Sequence, residues 1–304
     1  MELAQLEIFR AIAEEGSVTA AAEKLHRVPS NISTRLKQLE EELDCALFRR
    51  EKLRLYITDS GKTFLDYAQR ILALTEEARQ SVSGQHPSGI FTLGAIESTA
   101  AVRLPPLIAR YHQTWPQVEL DLTTGPSGDM IDGVLAGQYS AAFVDGPPKH
   151  PQLEGVAVFA EELVLIAALN HPPVPSAASI SGSTIYAFRA NCSYRRHFEN
   201  WFSREDAAPG KIFEMESYHG ILACVSAGAG LALIPASMLA SMPGRDSVRS
   251  YPLSGGRGKI AIWLIWRKGT QSTNLQAMTR LLQASVTDEQ AAITTENTGK
   301  KREP

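Results

Sequence analysis

The stretch that decides the fold is Ser17-Val18-Thr19-Ala20-Ala21-Ala22-Glu23-Lys24-Leu25-His26-Arg27-Val28-Pro29-Ser30-Asn31-Ile32-Ser33. It predicts two short helices that cross at close range, because Ala21 and Ala22 are small where the backbones must approach. In the second helix, apolar residues recur at i, i+4, i+7 and i+11, which is one helical face. They are Ile32, Leu36, Leu39 and Leu43.

The opposite face of the second helix is polar, with side chains long enough to reach base edges and phosphates. These residues are Ser30, Thr34, Lys37 and Gln38, with Asn31 and Arg35 at the flanks. This layout is that of a helix-turn-helix recognition helix, which lies in the major groove. The pattern therefore predicts DNA binding.

The same region resembles the N-terminal domain of LysR-type transcriptional regulators, and the resemblance extends over nearly the whole chain. The motifs at family spacing are Phe9 and Ala11, Gly16-Ser17 before the alanines, Leu25, Ser33, Leu39-Glu40, Leu47-Phe48-Arg49-Arg50, Thr58-Asp59-Ser60-Gly61 and, late in the chain, Ala227–Pro235. The resemblance implies an α/β protein with an N-terminal winged helix-turn-helix, a long linker helix that dimerises, and a two-lobe effector domain like a periplasmic binding protein. It also implies a homodimer or homotetramer on double-stranded promoter or operator DNA, with RNA polymerase as a further partner.

One departure concerns the start of the recognition helix, where Val28-Pro29-Ser30 replaces the family's usual Ser-Gln-Pro. Proline fits the first helical turn, whose N–H groups are unpaired anyway. Alternatively, Ser30 is the N-cap and the helix begins later. Either way the glutamine is missing, so base recognition shifts toward Asn31, Thr34, Arg35 and Gln38.

Composition is that of a soluble globular protein: 304 residues, 44% hydrophobic, 21% charged, and a net charge of -3. A DNA-binding protein with an acidic total must concentrate its positive charge, and basic residues gather between Arg27 and Arg54. Three glutamates at 40–42 interrupt them, which favours several copies sharing the binding energy. Three widely spaced cysteines fit neither a disulfide framework nor a zinc site. We expect reduced thiols, a cytoplasmic protein, and no signal peptide, membrane span, metal or cofactor.

A wing and a linker helix follow the recognition helix. Residues 53–58 alternate like a strand, with 49–52 as the turn, and we expect Arg50, Lys52 and Arg54 to contact phosphates; a solvated basic hairpin is the alternative.

Thr58 or Ser60 then caps a helix that reaches about residue 83. Three series repeat every seven residues along it, which fits a coiled coil with a second helix or a helix packed on its own domain. The family resemblance implies the dimeric coiled coil. The three series are Phe64, Ile71 and Ala78; Leu65, Leu72 and Arg79; and Ala68, Thr75 and Val82.

The remainder alternates between strand and helix patterns in two sets, which predicts two α/β lobes joined by two crossovers. The domain boundaries that follow are 1–58 for the DNA-binding domain, 59–88 for the linker, and 89–286 for the effector domain. Within the effector domain, lobe one takes 89–163 and 267–286 and lobe two takes 164–266. The polar segment 287–304 is predicted to be a disordered tail.

Ligands of open α/β sheets bind at the carboxyl ends of strands and at helix N-termini. Three such junctions predict an effector pocket, although each also fits an ordinary helix cap. The candidate contacts are Ser98 and Thr99, then Ser127 and Gly128, then Arg189, Asn191 and Ser193. Arg189 can clamp a carboxylate, whereas Glu97, Asp145 and Glu216 can hold an ammonium. The charges suit an amino acid, an amine or a small acid, and surface salt bridges explain them equally well.

An enzymatic role is not predicted, because the nucleophile-elbow, phosphate-loop and zinc-protease motifs are all missing. Two alternatives to a metabolite-sensing regulator stay open. One is a redox-sensing regulator of the same architecture, in which Cys192 at a helix start is the reactive thiol. The other is a small-molecule-binding protein with no DNA role, against which the N-terminal pattern argues.

Overall fold

Three helices begin the chain and enclose the first hydrophobic core. The first helix ends at Gly16, whose φ of 68° is the left-handed conformation that glycine adopts freely. Ser17 then caps the second helix, because its Oγ accepts a hydrogen bond from the Ala20 N–H at 3.2 Å. The helices are α1 (Leu3–Glu15), α2 (Val18–Lys24) and α3 (Pro29–Glu42). The computed structural model describes residues 1–51, 54–82 and 86–284, and the predicted tail lies outside these residues.

Helix α3 begins at Pro29, so the first of the two predicted starts is the one observed. Val28 is the N-cap, and Ser30 lies within the first turn rather than capping it. Ile32, Leu36 and Leu39 are buried, as the apolar spacing predicted. They pack into a core that α1 shares, with Phe9 fully buried at its centre.

A two-stranded wing follows, formed by β1 (Phe48–Glu51) and β2 (Arg54–Ile57) in antiparallel register. The predicted turn is therefore too long, because residues 49–51 belong to β1. Glu40 fixes the entry to the wing: its Oε1 accepts hydrogen bonds from the Leu47 and Phe48 N–H groups at 2.7 and 3.1 Å. This gives the glutamate of the Leu39-Glu40 pair a structural role.

The helix α4 (Asp59–Val82) begins at a tight junction with the wing. Thr58 is its cap, since the Oγ1 accepts a hydrogen bond from the Gly61 N–H at 2.9 Å. A Cβ on Gly61 would lie 2.2 Å from the Leu47 carbonyl oxygen, so only glycine fits. The Thr-x-x-Gly motif thus caps α4 with its threonine and, with its glycine, lets the helix backbone approach the Leu47 carbonyl group closely.

The predicted seven-residue series on α4 do not form one free seam. Ala68 is fully buried, and Leu65 and Ile71 pack against the core of the first unit. The reason is that the first half of α4 covers α1 of its own chain. Among the large apolar side chains of α4 that the structure describes, the exposed ones are instead Tyr67 and Leu74, at 55% and 65% exposure.

The second compact unit is built around a mixed sheet in two lobes. Its strands are β3 (Gly89–Ala95), β4 (Val118–Thr124), β5 (Ala141–Asp145), β6 (Leu153–Ala168), β7 (Ile185–Ala187), β8 (Ile212–Glu214), β9 (Leu231–Pro235), β10 (Val248–Pro252) and β11 (Lys259–Arg267). The first lobe has the order β4-β3-β5-β11-β6 and the second the order β6-β9-β7-β8, with β10 also paired to β6. The long β6 runs through both lobes and is the first crossover.

Helices cover both lobes of this sheet. They are α5 (Glu97–Val102), α6 (Leu104–Thr114), α7 (Ser127–Ala136), α8 (Ser193–Ser203), α9 (Tyr218–Ser226), α10 (Ala236–Ser241) and α11 (273–284). Within the described part of the chain, no helix is both long and apolar enough to cross a bilayer.

Three predicted features of the second unit are corrected. The sequence pattern predicts one helix over 99–114, but the structure has two, because the prolines at 105 and 106 favour the first turn of a new helix. The apolar run predicts a strand over 162–168, but β6 already begins at Leu153. Strand β11, which was assigned to lobe two, pairs with β5 and the first half of β6 and so belongs to the sheet of lobe one.

Candidate effector cleft and DNA-binding face

A cavity of about 550 Å³ lies in the cleft between the two lobes of the second unit. It is bordered by the carboxyl ends of β3 and β4 and by the first residues of α7, α8 and α9. Its lining consists of Ile96, Glu97, Thr123, Thr124, Gly125, Pro126, Ser127, Asp129, Met130, Tyr139, Phe188, Arg189, Cys192, Ser193, Tyr194, Glu216 and Tyr218. This volume suits a metabolite of modest size.

The predicted effector contacts divide into two groups. Four of them line the cavity, namely Ser127, Arg189, Ser193 and Glu216, and Glu97 joins them. The other five do not line it: Ser98, Thr99, Gly128, Asp145 and Asn191. Ser98 and Thr99 are each only 3% exposed, because their side chains turn inward at the start of α5.

Five of the predicted contacts form hydrogen bonds across the cleft, two of them with each other. We call the set the interlobe seam: Ser98, Ser127, Asp129 and Asp145 of the first lobe with Tyr194, Ser193, Asn191 and His197 of the second. The pairs are Ser98 Oγ and Tyr194 Oη at 3.2 Å, Ser127 Oγ and Ser193 Oγ at 3.1 Å, Asn191 Nδ2 to Asp129 Oδ1 at 2.6 Å, and His197 Nε2 and Asp145 Oδ2 at 2.7 Å. The start of α8 therefore fastens lobe two to lobe one.

Carboxylates outnumber cations in the cavity wall. Arg189 forms a two-pronged ion pair with Glu216, which raises the pKa of the arginine and lowers that of the glutamate. Asp129 accepts a hydrogen bond from the neutral amide of Asn191, and its charge also helps to raise the pKa of Arg189. Loss of water around Glu97 raises its pKa, and the negative charge of Glu216 raises it further, although His219 opposes this. Glu97 is thus a carboxylate without an opposite charge bonded to it.

Aromatic rings supply much of the remaining wall, and sequence reasoning did not select them. Phe188 and Tyr218 pack with ring centroids 4.8 Å apart. Burial raises the pKa of the Tyr194 and Tyr218 hydroxyls well above their ordinary value, so both stay neutral. The available signal was their position, since each tyrosine lies at the start of a helix and within two residues of a selected residue.

Cys192 is the N-cap of α8 and lines the cavity. Burial raises the pKa of its thiol, and the nearby backbone N–H groups only partly offset this. Because the thiolate is the reactive form, a raised pKa argues against Cys192 as a redox sensor. The burial of this thiol therefore does not favour the redox alternative.

The polar face of α3 is free for a ligand, but two of its side chains are engaged. Thr34 donates its hydroxyl to the Ser30 carbonyl oxygen at 2.9 Å, and Arg35 forms an ion pair with Glu2 at 2.8 Å. The exposed candidates are Ser30, Asn31, Ser33, Thr34, Lys37 and Gln38, with Lys37 3.3 Å from Glu41. In the wing, Lys52 and the side chains of Arg50 and Arg54 lie outside the described residues.

Comparison with known proteins gives the same two-part division. Residues 3–62 match the bacterial regulatory helix-turn-helix proteins of the lysR family, and residues 84–287 match the LysR substrate binding domain. The transcriptional regulator GltR of Bacillus subtilis (strain 168) is 36% identical over 274 residues, which cover 90% of this chain and 93% of GltR. The regulator SoxR of an Arthrobacter species (strain TE1826) is 35% identical, with 90% of this chain and 93% of SoxR covered.

Solved structures agree. CbnR in complex with its target DNA superposes with a TM-score of 0.66 at 25% identity, covering 94% of this chain and 100% of that one. A full-length OxyR variant of Pseudomonas aeruginosa shares the fold, with a TM-score of 0.72 at 22% identity and coverage of 93% and 94%. The relatives are regulators rather than enzymes, and the helix-turn-helix match excludes a binding protein with no DNA role. The chain belongs to the LysR family of DNA-binding transcriptional regulators.

Proposed function

We propose that this regulator senses a small metabolite that carries an amine, such as an amino acid or an amine proper, in the cavity between its lobes. The observation that carries the proposal is the excess of carboxylates over cations in the cavity wall. A protonated amine would meet Glu97, which is near His219 but forms no salt bridge with a cation of the described residues. The aromatic rings of Phe188 and Tyr218 would add cation–π attraction and apolar contact.

A simple acid fits the same wall poorly. Its carboxylate would face Glu97 and Asp129 and would have to displace Glu216 from Arg189 to gain a cation. An amino acid is different, because its carboxylate can approach the N–H groups at the starts of α7 and α8 while its amine reaches Glu97. Of the three classes that the sequence suggested, we therefore retain amino acids and amines.

The regulatory response to the effector would arise from the equilibrium between a closed and an open arrangement of the two lobes. A ligand shifts such a balance only by binding one state better than the other. The interlobe seam favours the closed state without an effector, and a cation beside Glu97 and Glu216 would relieve the repulsion between these two carboxylates in that state. We propose that this shift alters how the protein contacts promoter DNA and RNA polymerase in the cytoplasm.

We propose a homodimer that pairs through α4 and assembles into a tetramer, a dimer of dimers, on a partly palindromic operator. Tyr67 and Leu74 are seven residues apart, the spacing of a coiled-coil seam, and both are exposed in the single chain. A second copy would cover them. Two or more DNA-binding domains would then share the phosphate contacts. This sharing is needed because the net charge of one chain is acidic.

The effector proposal is tested by thermal shift on the full chain with two series of related compounds that differ in their charged groups: phenethylamine, phenylalanine and phenylacetate, and butylamine, 2-aminobutyrate and butyrate. We expect stabilisation by amines or amino acids and none by the acids. Glu97→Gln should abolish it, whereas Glu119→Gln, on the exposed face of β4, should not. Stabilisation by the acids, or by amines equally in Glu97→Gln, would refute the proposal.

A further inference from the structure

Val28 is an unusual residue for its position. It is the N-cap of the recognition helix α3, and its side chain is 63% exposed. Only Leu74 is a more exposed large apolar residue in the described part of the chain. Pro29, the next residue, is exposed as well and is the first residue of the helix.

The fold gains nothing from a valine here. N-caps favour serine, threonine, aspartate and asparagine, whose side chains accept hydrogen bonds from the first turn, and Val28 makes no such bond. Its apolar surface is also left in water rather than in the core. Val28 therefore lacks the cap hydrogen bond and also exposes apolar surface to water. Its side chain lies where a recognition helix meets the edges of the base pairs.

We propose that Val28 and Pro29 form an apolar contact that reads the 5-methyl group of thymine in the major groove. Thymine is the only base that presents a methyl group there, and aliphatic side chains are the groups that contact it. Neither residue offers a side-chain donor or acceptor, and Pro29 lacks even a backbone N–H. They can therefore recognise a methyl group and no hydrogen-bonding pattern.

The neighbouring side chains can recognise DNA by hydrogen bonds, which the apolar pair cannot form. Ser30, Asn31 and Gln38 are exposed on the same helix and can form hydrogen bonds to bases or phosphates. Thr34 and Arg35 are bonded within the chain. The apolar pair thus supplies base discrimination at the helix start, independently of which effector the cleft binds.

The experiment removes the methyl group from the DNA instead of the side chain from the protein. A duplex selected by the wild-type protein from random sequences is prepared with thymine or with deoxyuridine, which pairs identically but has no methyl group. By fluorescence anisotropy, we expect the wild type to bind the thymine duplex about fourfold more tightly for each methyl group contacted, the value of one buried CH₂ converted to a ratio.

Val28→Ser is the decisive variant, because serine is a preferred N-cap and the head should fold at least as well. We expect its preference for the thymine duplex to fall well below that of the wild type, because Pro29 alone covers less of the methyl group. Leu169→Ser removes a comparably exposed leucine from the second unit and should keep the thymine preference. A wild type with no preference, or a Val28→Ser protein with an undiminished one, would overturn the proposal and leave the exposed valine as a contact for another protein.

Discussion

The substitution Ser98→Ala tests whether the interlobe seam holds the closed cleft. The Ser98 hydroxyl pairs with the Tyr194 hydroxyl at 3.2 Å and also lies within bonding reach of Tyr218. All three side chains are at least nine-tenths buried. Alanine would leave buried phenols short of a partner, and each such loss costs about 1–3 kcal/mol. Water in the adjacent cavity can replace part of the bonding, so we expect a total of about 2 kcal/mol.

For a domain of this size, about 2 kcal/mol lowers the Tm by roughly 4–8 °C. Thermal unfolding of the full chain by circular dichroism measures it, with Ser203→Ala as the control, because that hydroxyl is exposed on α8 and bonds only to its own helix. The double variant Ser98→Ala with Tyr194→Phe should be less destabilised than the two single effects added together. A Tm within 1 °C of wild type, set as the threshold on the expected shift of roughly 4–8 °C, would refute the argument.

Three further outcomes are expected. Leu74→Glu should lower the oligomer mass measured by light scattering, because it puts a carboxylate into the proposed α4 seam, whereas Ala73→Glu at the neighbouring exposed position should not; equal masses would place the contact elsewhere. Gly61→Ala should lower the free energy of unfolding of the DNA-binding domain by about 1–3 kcal/mol, measured by urea denaturation, since the added methyl group meets a carbonyl oxygen. Burial raises the pKa of Glu205, but hydrogen bonds from Ser254 and the 177–178 backbone, with Arg257, outweigh it and hold the pKa below 4.5. Its stabilising effect is therefore present above that pH and lost as pH falls through the lowered value, so the stability difference between wild type and Glu205→Gln should shrink in acid titrations.

Local patterns predicted the elements well wherever one stretch of chain decides the outcome. The sequence pattern predicts a helix over 127–136, and α7 has these limits, because Pro126 starts it and Gly137, with a φ of 79°, ends it. The buried face of α3 followed from spacing alone. These features depend on residues within about four positions of one another.

Features that depend on distant segments were not predictable in the same way. Hydroxyls at strand ends identified the cleft, yet Ser98 and Ser127 are bonded to residues 66–96 positions away in the other lobe. Which lobe β11 joins is likewise decided by pairing and not by its own apolar run. On α4, a seven-residue repeat could not show that Ala68 faces its own core.

The interlobe seam also implies that effector sensing and operator binding respond differently to ionic strength. Two of its four bonds join neutral hydroxyls, and its histidine pairs with an aspartate that is only 7% exposed, so screening by salt reaches them weakly. Operator binding rests on phosphate contacts and falls by about 10³–10⁵ between 50 and 200 mM salt for a protein with 6–10 such contacts. At high salt the protein would leave its operator while its lobes still open and close. Effector affinity can then be measured free of DNA, and a salt-stressed cell would lose repression or activation without losing the sensor.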